Sequence, residues 1–388
     1  MMLSNMAYRV NGQPMFKVLS RVKDLEAQGK SIIHFEIGEP DFDTPKHIVE
    51  ACCNSLHSGH THYTDSMGNR DFREVICRNN THTRGFLPTM DQVLIVSGAN
   101  SIIFYAAAAV ANPGEEIIIS DPCFPTYTSV LEMLGINAVK IPLRESNKFC
   151  IVPDEIEKAI TPKTRMIIIN SPNNPTGSVL SKEAQIEIFN IARKNGIYLL
   201  CDEVYARMIY SDEKFYSPSV LDSCTETTII LNGFSKSFAM TGWRLGVCIG
   251  PPALIAKMGL MLQTIVSCVS PFIQDAGMAA ITGPQDDVIE MVKTYRRRRD
   301  ILVEGLNRVK GINCIQPAGA FYIFANIKET GRTSGEITET LLNNAGVAVL
   351  PGSDFGQSGE GYIRLCYANS EENIIEAIKR MTLVLGEK

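Results

Sequence analysis

The chain predicts an α/β fold: a large unit on a mostly parallel sheet with helices on both faces, and a smaller α+β unit made from both termini. Three observations predict it. From about Val93 to Ile249, short β-rich runs alternate with helical stretches, and such alternation requires crossovers between parallel strands. The 388 residues exceed one ordinary core. The flanking segments read instead as long helices mixed with a few apolar runs. The expected division is residues 45–285 for the large unit, with 1–44 and 286–388 for the small one.

In chain order, Gln13 to Gly29 reads as an amphipathic helix leading to the apolar run Ile32 to Ile37. Gly38 to Pro45 is a loop of turn residues. The core strands are expected at Val93–Val96, Glu116–Ser120, Arg165–Asn170, Tyr198–Asp202, Thr228–Asn232 and Gly246–Ile249. Their apolar continuity fits strands covered on both faces. Beyond them, Asp286 to Val309 is a long helical stretch, Ala320 to Ile327 alternates as a strand, and Ser334 to Ala345 is helical. The runs Val347–Leu350 and Tyr362–Tyr367 complete the small unit. There is no internal repeat and no low-complexity linker.

Composition narrows the function classes. A hydrophobic fraction of 45%, a charged fraction of 20% and a formal net charge of −5 describe a soluble globular chain with no attraction for nucleic acid or an anionic membrane. The basic run Arg296 to Arg299 covers every face of one helical turn, with Glu290, Asp300 and Glu304 nearby, and is expected as a solvated or ion-paired face. The eleven cysteines form no CxxC pair or His–Cys cluster, so reduced thiols are expected and no metal site is. Met1 to Val10 has no basic region followed by an apolar one, and no apolar run is of membrane-spanning length. A cytoplasmic enzyme is the expectation.

Ligands of parallel sheets bind beyond the carboxyl ends of the strands, so the residues just after each run carry the chemistry. After Thr228–Leu231 comes Asn232-Gly-Phe-Ser-Lys-Ser-Phe-Ala-Met-Thr-Gly-Trp-Arg-Leu-Gly246. Lys236 there can hold a cofactor aldehyde covalently while Arg244 grips a phosphate; the competing reading is a surface lysine. Ser97-Gly-Ala-Asn-Ser101, with Gly98, Ala99 and Asn100 at a helix start, is either a phosphate cup or a simple cap. Asp121-Pro-Cys-Phe-Pro-Thr-Tyr127 places Phe124 and Tyr127 in a stiffened loop, where one stacks on a flat ring or both pack in the core. Ser171-Pro-Asn-Asn-Pro-Thr-Gly177 aims an asparagine amide at a ligand or is a plain turn. Asp202, ending a buried strand, needs a cationic partner such as a protonated ring nitrogen, or caps a helix. Tyr205, three residues on, can meet the same ligand. Arg364 lies inside an apolar strand, where a substrate carboxylate or a structural ion pair would balance it. Aldehyde trap, ring-nitrogen partner, phenolic-oxygen donors, stacking ring and phosphate grip together match pyridoxal 5'-phosphate.

These residues resemble the class I/II aminotransferases of the fold-type I pyridoxal-phosphate enzymes, in the branch of bacterial and archaeal aspartate and broad-specificity aminotransferases. The likeness spans essentially the whole chain. It is carried by Ser235 to Gly246 and, in order, by Gly-Glu-Pro-Asp-Phe-Asp-Thr-Pro at Gly38, Asn-Ser-Pro-Asn-Asn-Pro-Thr-Gly at Asn170, Asp-Glu-Val-Tyr at Asp202, and Arg364. The resemblance implies a seven-stranded sheet and transamination between an L-amino acid and a 2-oxo acid in two half-reactions. It implies that Lys236, Asp202 and Tyr205 are catalytic: Lys236 as covalent anchor and proton shuttle, Asp202 as the partner of the ring nitrogen, and Tyr205 with Asn174 on the phenolic oxygen. Phe124 would stack on the ring, and Gly98, Ala99, Asn100, Ser235 and Arg244 would surround the phosphate. Gly38, Asn174 and Arg364 would bind the substrate, the first by its backbone. Tyr63, in Thr61-His-Tyr-Thr64, would reach the phosphate of a neighbouring subunit, which implies a homodimer with shared sites.

Two positions depart from the family pattern. Gly233 stands where some members carry a hydroxyl phosphate ligand, and Phe124 stands where aspartate-specific relatives often have tryptophan. No arginine is marked by the motifs as a clamp for a substrate side-chain carboxylate. Side-chain reading is expected from Val10–Phe16, from Phe321 and Tyr322, and from across the dimer. The freed Lys236 amine is expected to have its pKa lowered by the cationic cofactor and Arg244. The rival readings are a lyase, decarboxylase or synthase on the same scaffold, or a ligand-sensing regulatory module. A nicotinamide dehydrogenase is disfavoured because no GxGxxG follows the first core strand.

Overall fold

The computed structural model describes residues 2–10, 12, 14–210 and 215–388. The expected amphipathic helix runs Pro14–Ala27; Gln13 lies outside the described residues. Strand β1 is Ile33–His34, shorter than the apolar run 32–37 because only these two residues find a ladder partner.

The central sheet contains β2 (Val93–Ser97), β3 (Glu116–Asp121), β4 (Asn137–Pro142), β5 (Thr164–Asn170), β6 (Tyr198–Asp202), β7 (Thr228–Gly233) and β8 (Leu245–Ile249). The seven strands lie in the order β2-β8-β7-β6-β5-β3-β4. All pairings are parallel except those of β8, which runs antiparallel to both β2 and β7. The strand β4 was not anticipated: Asn137–Pro142 is half-exposed at the sheet edge and mixes Asn and Lys with its apolar residues, so its sequence lacks the signal of a doubly covered strand. Helices cover both faces. Ile102, Ile103 and Ala106 of the helix Asn100–Val110 pack with Leu254, Ile255 and Met258 of Pro252–Val266 on Leu94, Ile117, Ile119 and Leu231. On the other face Ile188 and Phe189 of Lys182–Lys194 meet Ile118, Ile167 and Leu199. The alternation of side chains along each strand thus feeds two cores.

The two ends of the chain meet. β1 pairs in parallel with β10 (Val347–Ala348), after β9 (Tyr322–Asn326) in the sequence, while β11 (Leu350–Pro351), β12 (Tyr362–Cys366) and β9 form an antiparallel sheet. The helices Asp286–Leu306 and Glu371–Leu385 cover them, joining Leu302, Ile374 and Met381 in one core with Ile323 and Leu365. The helix expected at 334–345 is α-helical over Ser334–Thr340 and continues as a π-turn over Leu341–Ala345.

The basic run divides between water and the interior. Arg296 and Arg297 are exposed, whereas Arg298 and Arg299 are buried. Arg298 pairs with Asp41 at 2.8 Å, and Arg299 donates to the Pro317 carbonyl at 3.0 Å. The solvated alternative therefore fails for two of the four, because their helix face turns into the small unit. No described helix is long and apolar enough to cross a membrane. All eleven cysteines are free.

Candidate active site

The carboxyl ends of β3, β5, β6 and β7 open on one cavity of about 190 Å³. Of the residues singled out above, Gly38, Ala99, Asn100, Phe124, Asn174, Asp202, Tyr205, Ser235, Lys236 and Arg244 line it. Gly98 and Arg364 do not line it but touch residues that do, Gly98 against Arg244 and Arg364 against Asn174 and Tyr322. Tyr63 does not line it: its side chain is 89% exposed on the outer surface.

β7 ends at Gly233, and one turn of helix, Phe234–Ser237, carries Lys236 into the cavity. The Lys236 Nζ donates a hydrogen bond to the Gly38 carbonyl and lies 5.7 Å from the centre of the Phe321 ring. Burial lowers its pKa to about 8. Arg364 and Arg244 push the same way but less, while Cys366 and Glu39 oppose them. Arg244 thus lowers it as expected, but as a smaller cause than desolvation, which the sequence did not suggest.

Arg244 precedes β8 with a φ of +53°. Its Nη1 donates to the Thr241 carbonyl at 2.8 Å, and a Cβ on Gly98 would stand 2.3 Å from its Nη2. With φ +79°, Gly98 meets two demands that any other residue would fail. The guanidinium therefore rests on the turn that opens the helix Asn100–Val110, at the positive end of its dipole. Gly233 is also close to this turn, though less tightly: its Cβ would lie 3.1 Å from the Cβ of Ala99. The missing hydroxyl at 233 is consistent with that approach.

Asp202, at the end of β6, is 5% exposed. Its Oδ1 accepts from the Val204 N–H at 3.2 Å, and its Oδ2 accepts from the Tyr127 hydroxyl. Burial raises its pKa to about 6, against those two hydrogen bonds. A carboxylate held so is short of a cation. Tyr127 is the member of the Phe124 and Tyr127 pair that packs in the core, and its hydroxyl donates to Asp202. Phe124, by contrast, faces the cavity and meets Tyr127 edge to face, with centroids 5.8 Å apart.

Arg364 in β12 is fully buried. Its cation lies 4.7 Å from the Tyr322 ring centre and 4.9 Å from that of Phe355. Nη1 donates to Asn174 Oδ1 at 3.4 Å, Nη2 donates to the Glu36 carbonyl, and Nε has no partner. Both acceptors are neutral. Among the described residues no carboxylate lies within ion-pair distance of it, so the structural ion pair is not what balances this charge. Asn174 is itself held by its N–H on Asn170 Oδ1 at 2.8 Å.

The sequence reading did not single out Asn170, Val204, Leu231 and Thr241, which also line the cavity. Met15 lines it too, which accords with a side-chain role for the segment 10–16; Asn11 and Gln13 of that segment lie outside the described residues. The described residues contain no group of three or more His, Cys, Asp or Glu able to hold a metal.

The profile of the family described as aminotransferase class I and II matches residues 30–381. The chain belongs to this family. It is 41% identical to an aspartate aminotransferase of Pyrococcus horikoshii over 95% of each chain. It is 40% identical to aromatic-amino-acid aminotransferase 2 of Thermococcus litoralis, over 100% of this chain and 99% of the other. Among solved structures, the aspartate aminotransferase from Thermus thermophilus with maleate superposes with a TM-score of 0.95 at 32% identity, covering 99% of this chain and 100% of that one. This aminotransferase thus moves an amino group between an amino acid and a 2-oxo acid, and its cofactor is pyridoxal 5'-phosphate. The lyase, regulatory and dehydrogenase readings lose their ground.

The residues present fit that cofactor. A cradle that a Cβ at Gly98 would fill, a guanidinium beside a helix start, an enclosed amine and a buried carboxylate short of a cation lie in one cavity.

Proposed function

We propose that Lys236, Asp202 and Tyr205 are the catalytic residues of this aminotransferase, with the cofactor held by Gly98, Ala99, Asn100, Phe124, Asn174, Ser235 and Arg244. When bound, pyridoxal 5'-phosphate supplies the aldehyde carbon that receives the amino group and a protonated ring that draws electrons from the substrate α-carbon. Asp202 holds the proton on the ring nitrogen, since the pairing relieves the cost of its own burial. Tyr205 and Asn174 would donate to the phenolic oxygen, Phe124 would stack on the ring, and Arg244 at the start of the helix Asn100–Val110 would hold the phosphate. Arg364 takes the substrate carboxylate, helped by Asn174 and the Gly38 backbone. Once displaced by substrate, the Lys236 amine would take the proton from the α-carbon as base and deliver it, as acid, to the carbon that carried the aldehyde; the second half-reaction would run in the reverse sense. With its pKa lowered to about 8, roughly a tenth of the amine is neutral at pH 7, far more than for an ordinary lysine, and that fraction can act as base.

The observation that carries the reading is the enclosed Lys236 amine facing Asp202, Tyr205 and Arg244 across one cavity. Lys236→Ala should bind cofactor without the absorbance band of the lysine-bound form and should lose turnover. An active Lys236→Ala protein that keeps the band would overturn it.

We infer a homodimer with shared sites, supported by the exposed Tyr63 and by a nearby groove lined by Thr64, Met67 and Leu260. The reading divides the chain at 45–285 and 1–44 with 286–388, supported by the pairing of β1 with β10. A cytoplasmic location accords with eleven free thiols. For the donor, Met15, Phe124 and Tyr322 on the cavity wall favour an uncharged, bulky side chain over aspartate. Single-turnover loss of the lysine-bound band with a panel of amino acids tests this, and faster reaction with aspartate than with phenylalanine would refute it.

A further inference from the structure

Tyr322 opens β9 at a point where three parts of the site meet. Its side chain is 1% exposed and forms part of the cavity wall. Its hydroxyl lies 2.7 Å from the Tyr205 hydroxyl, and its ring centre lies 4.7 Å from the Arg364 guanidinium carbon. A Cβ on Gly38 would come within 2.2 Å of its hydroxyl oxygen, so the Gly38 backbone passes directly over it. The aromatic rings of Tyr205 and Tyr322 also meet edge to face, 5.7 Å apart at an interplanar angle of 82°.

Each phenol has one proton to donate. If Tyr205 gives its proton to the phenolic oxygen of the cofactor, as the reading above has it, the Tyr205 oxygen becomes the acceptor in the 2.7 Å contact and Tyr322 the donor. Hydrogen bonds in such a chain polarise one another, and the enclosed site leaves little water to mask the effect. Tyr205 is thereby a stronger donor than an isolated phenol. The same Tyr322 ring, against the Arg364 cation, fixes the plane in which the guanidinium meets a carboxylate.

We propose that Tyr322 is a positioning residue that strengthens the hydrogen bond of Tyr205 to the cofactor and orients Arg364, so that one side chain sets both halves of the site. The inference rests on the role given to Tyr205. It makes separable demands on the hydroxyl and on the ring.

The test uses the full chain loaded with pyridoxal 5'-phosphate and follows the pH titration of its lysine-bound absorbance band. Protonation withdraws negative charge from the phenolic oxygen, so a weaker donor raises the pH of half-protonation. Tyr322→Phe should raise it by about half to one pH unit and lower kcat, with the KM for the amino donor kept within about twofold. Tyr322→Leu, which also loses the ring, should raise that KM about tenfold. In a Tyr205→Phe background, Tyr322→Phe should no longer move the titration, whereas a purely structural role would move it in both. If Tyr322→Phe does not accumulate, a fluorinated tyrosine placed at 322 keeps the shape, sharpens the donor and should shift the titration downward. An unchanged titration in Tyr322→Phe, or in the fluorinated protein, overturns the inference while the site assignment stands. A wild-type enzyme with no lysine-bound band sinks the site assignment itself.

Discussion

Gly98 has no side chain, yet it decides how closely Arg244 can lie on the start of the helix Asn100–Val110. A methyl group there would meet Nη2 at 2.3 Å with the backbone at φ +79°. Gly98→Ala should therefore weaken cofactor affinity about tenfold to a hundredfold, measured by fluorescence titration with pyridoxal 5'-phosphate, while a distant glycine such as Gly29, with open space around it, only loses stability on the same change. Asp202 obeys a different rule. Its pKa of about 6 lies above the unfolded value of 3.8, so burial of its charge costs stability progressively as the pH rises through that window. Cofactor loading should relieve the cost, and the rise in melting temperature on loading should be larger at pH 7 than at pH 4. Asp202→Asn should flatten that difference. The places of Lys236, Asp202 and Arg364 at or beside one cavity were legible in the sequence from residue type and motif position. Tyr127 and Tyr322 were not, because each acts through a hydroxyl contact made across 75 or 117 positions of chain.

The loop from Gly38 to Pro45 shows the same limit among elements. Its turn residues announce a loop, but what holds it is spread over two distant segments. Asp41 accepts from Arg298 at 2.8 Å and from Tyr295 at 3.3 Å, both on the helix Asp286–Leu306. Thr44 donates to the Ala239 carbonyl at 2.6 Å and accepts from the Trp243 indole at 3.0 Å, while Thr241 donates to Glu39. The loop that carries the Gly38 carbonyl is thus tied to the segment that carries Lys236. Arg298→Met should cost about 2 kcal/mol in chemical denaturation, less than a fully buried pair because Asp41 is 29% exposed, and should also raise the KM for substrate. The helix Pro14–Ala27 has a pH-dependent tie. His34 bridges Glu36 at 2.8 Å and Glu26 at 3.0 Å, and the Glu36 hydrogen bond is the largest cause of a pKa raised to about 9. Stability from this group is complete below its unfolded value of 6.5 and is lost as the pH rises through 9. Between pH 7 and pH 10 the denaturation midpoint should fall further in wild type than in His34→Gln; with the imidazole partly in water, the difference should be modest.

The parallel core of the whole molecule could be read from its apolar runs, since strands covered on both faces leave a plain signal. The edge strand β4 and the pairing of β1 with β10 left little trace, because one is half-exposed and the other only two residues long. Assembly is the remaining step at this scale. Leu260 and Ile265, on the helix Pro252–Val266, are 55% and 58% exposed, and Leu260 shares a groove with Thr64. On the homodimer proposed above, Leu260→Glu with Ile265→Glu should yield monomers in light scattering, with reduced cofactor affinity if Tyr63 reaches a neighbouring phosphate. A dimer unaffected by both changes would place the interface elsewhere.

The reversed direction of β8 bears on how the enzyme comes to be folded. Because β7 and β8 are antiparallel neighbours joined by one short connection, Lys236 and Arg244 can be brought into place by contacts local in sequence, at small loop-closure cost. β2, which carries Gly98 to the other side of Arg244, joins β8 only after a segment of about 150 residues has been closed. Lys236 and Arg244 should therefore be set early in folding, and the glycine cradle beneath the arginine late. During refolding with pyridoxal 5'-phosphate present, tight retention of the cofactor should appear in step with the docking of β2 rather than with the first secondary structure.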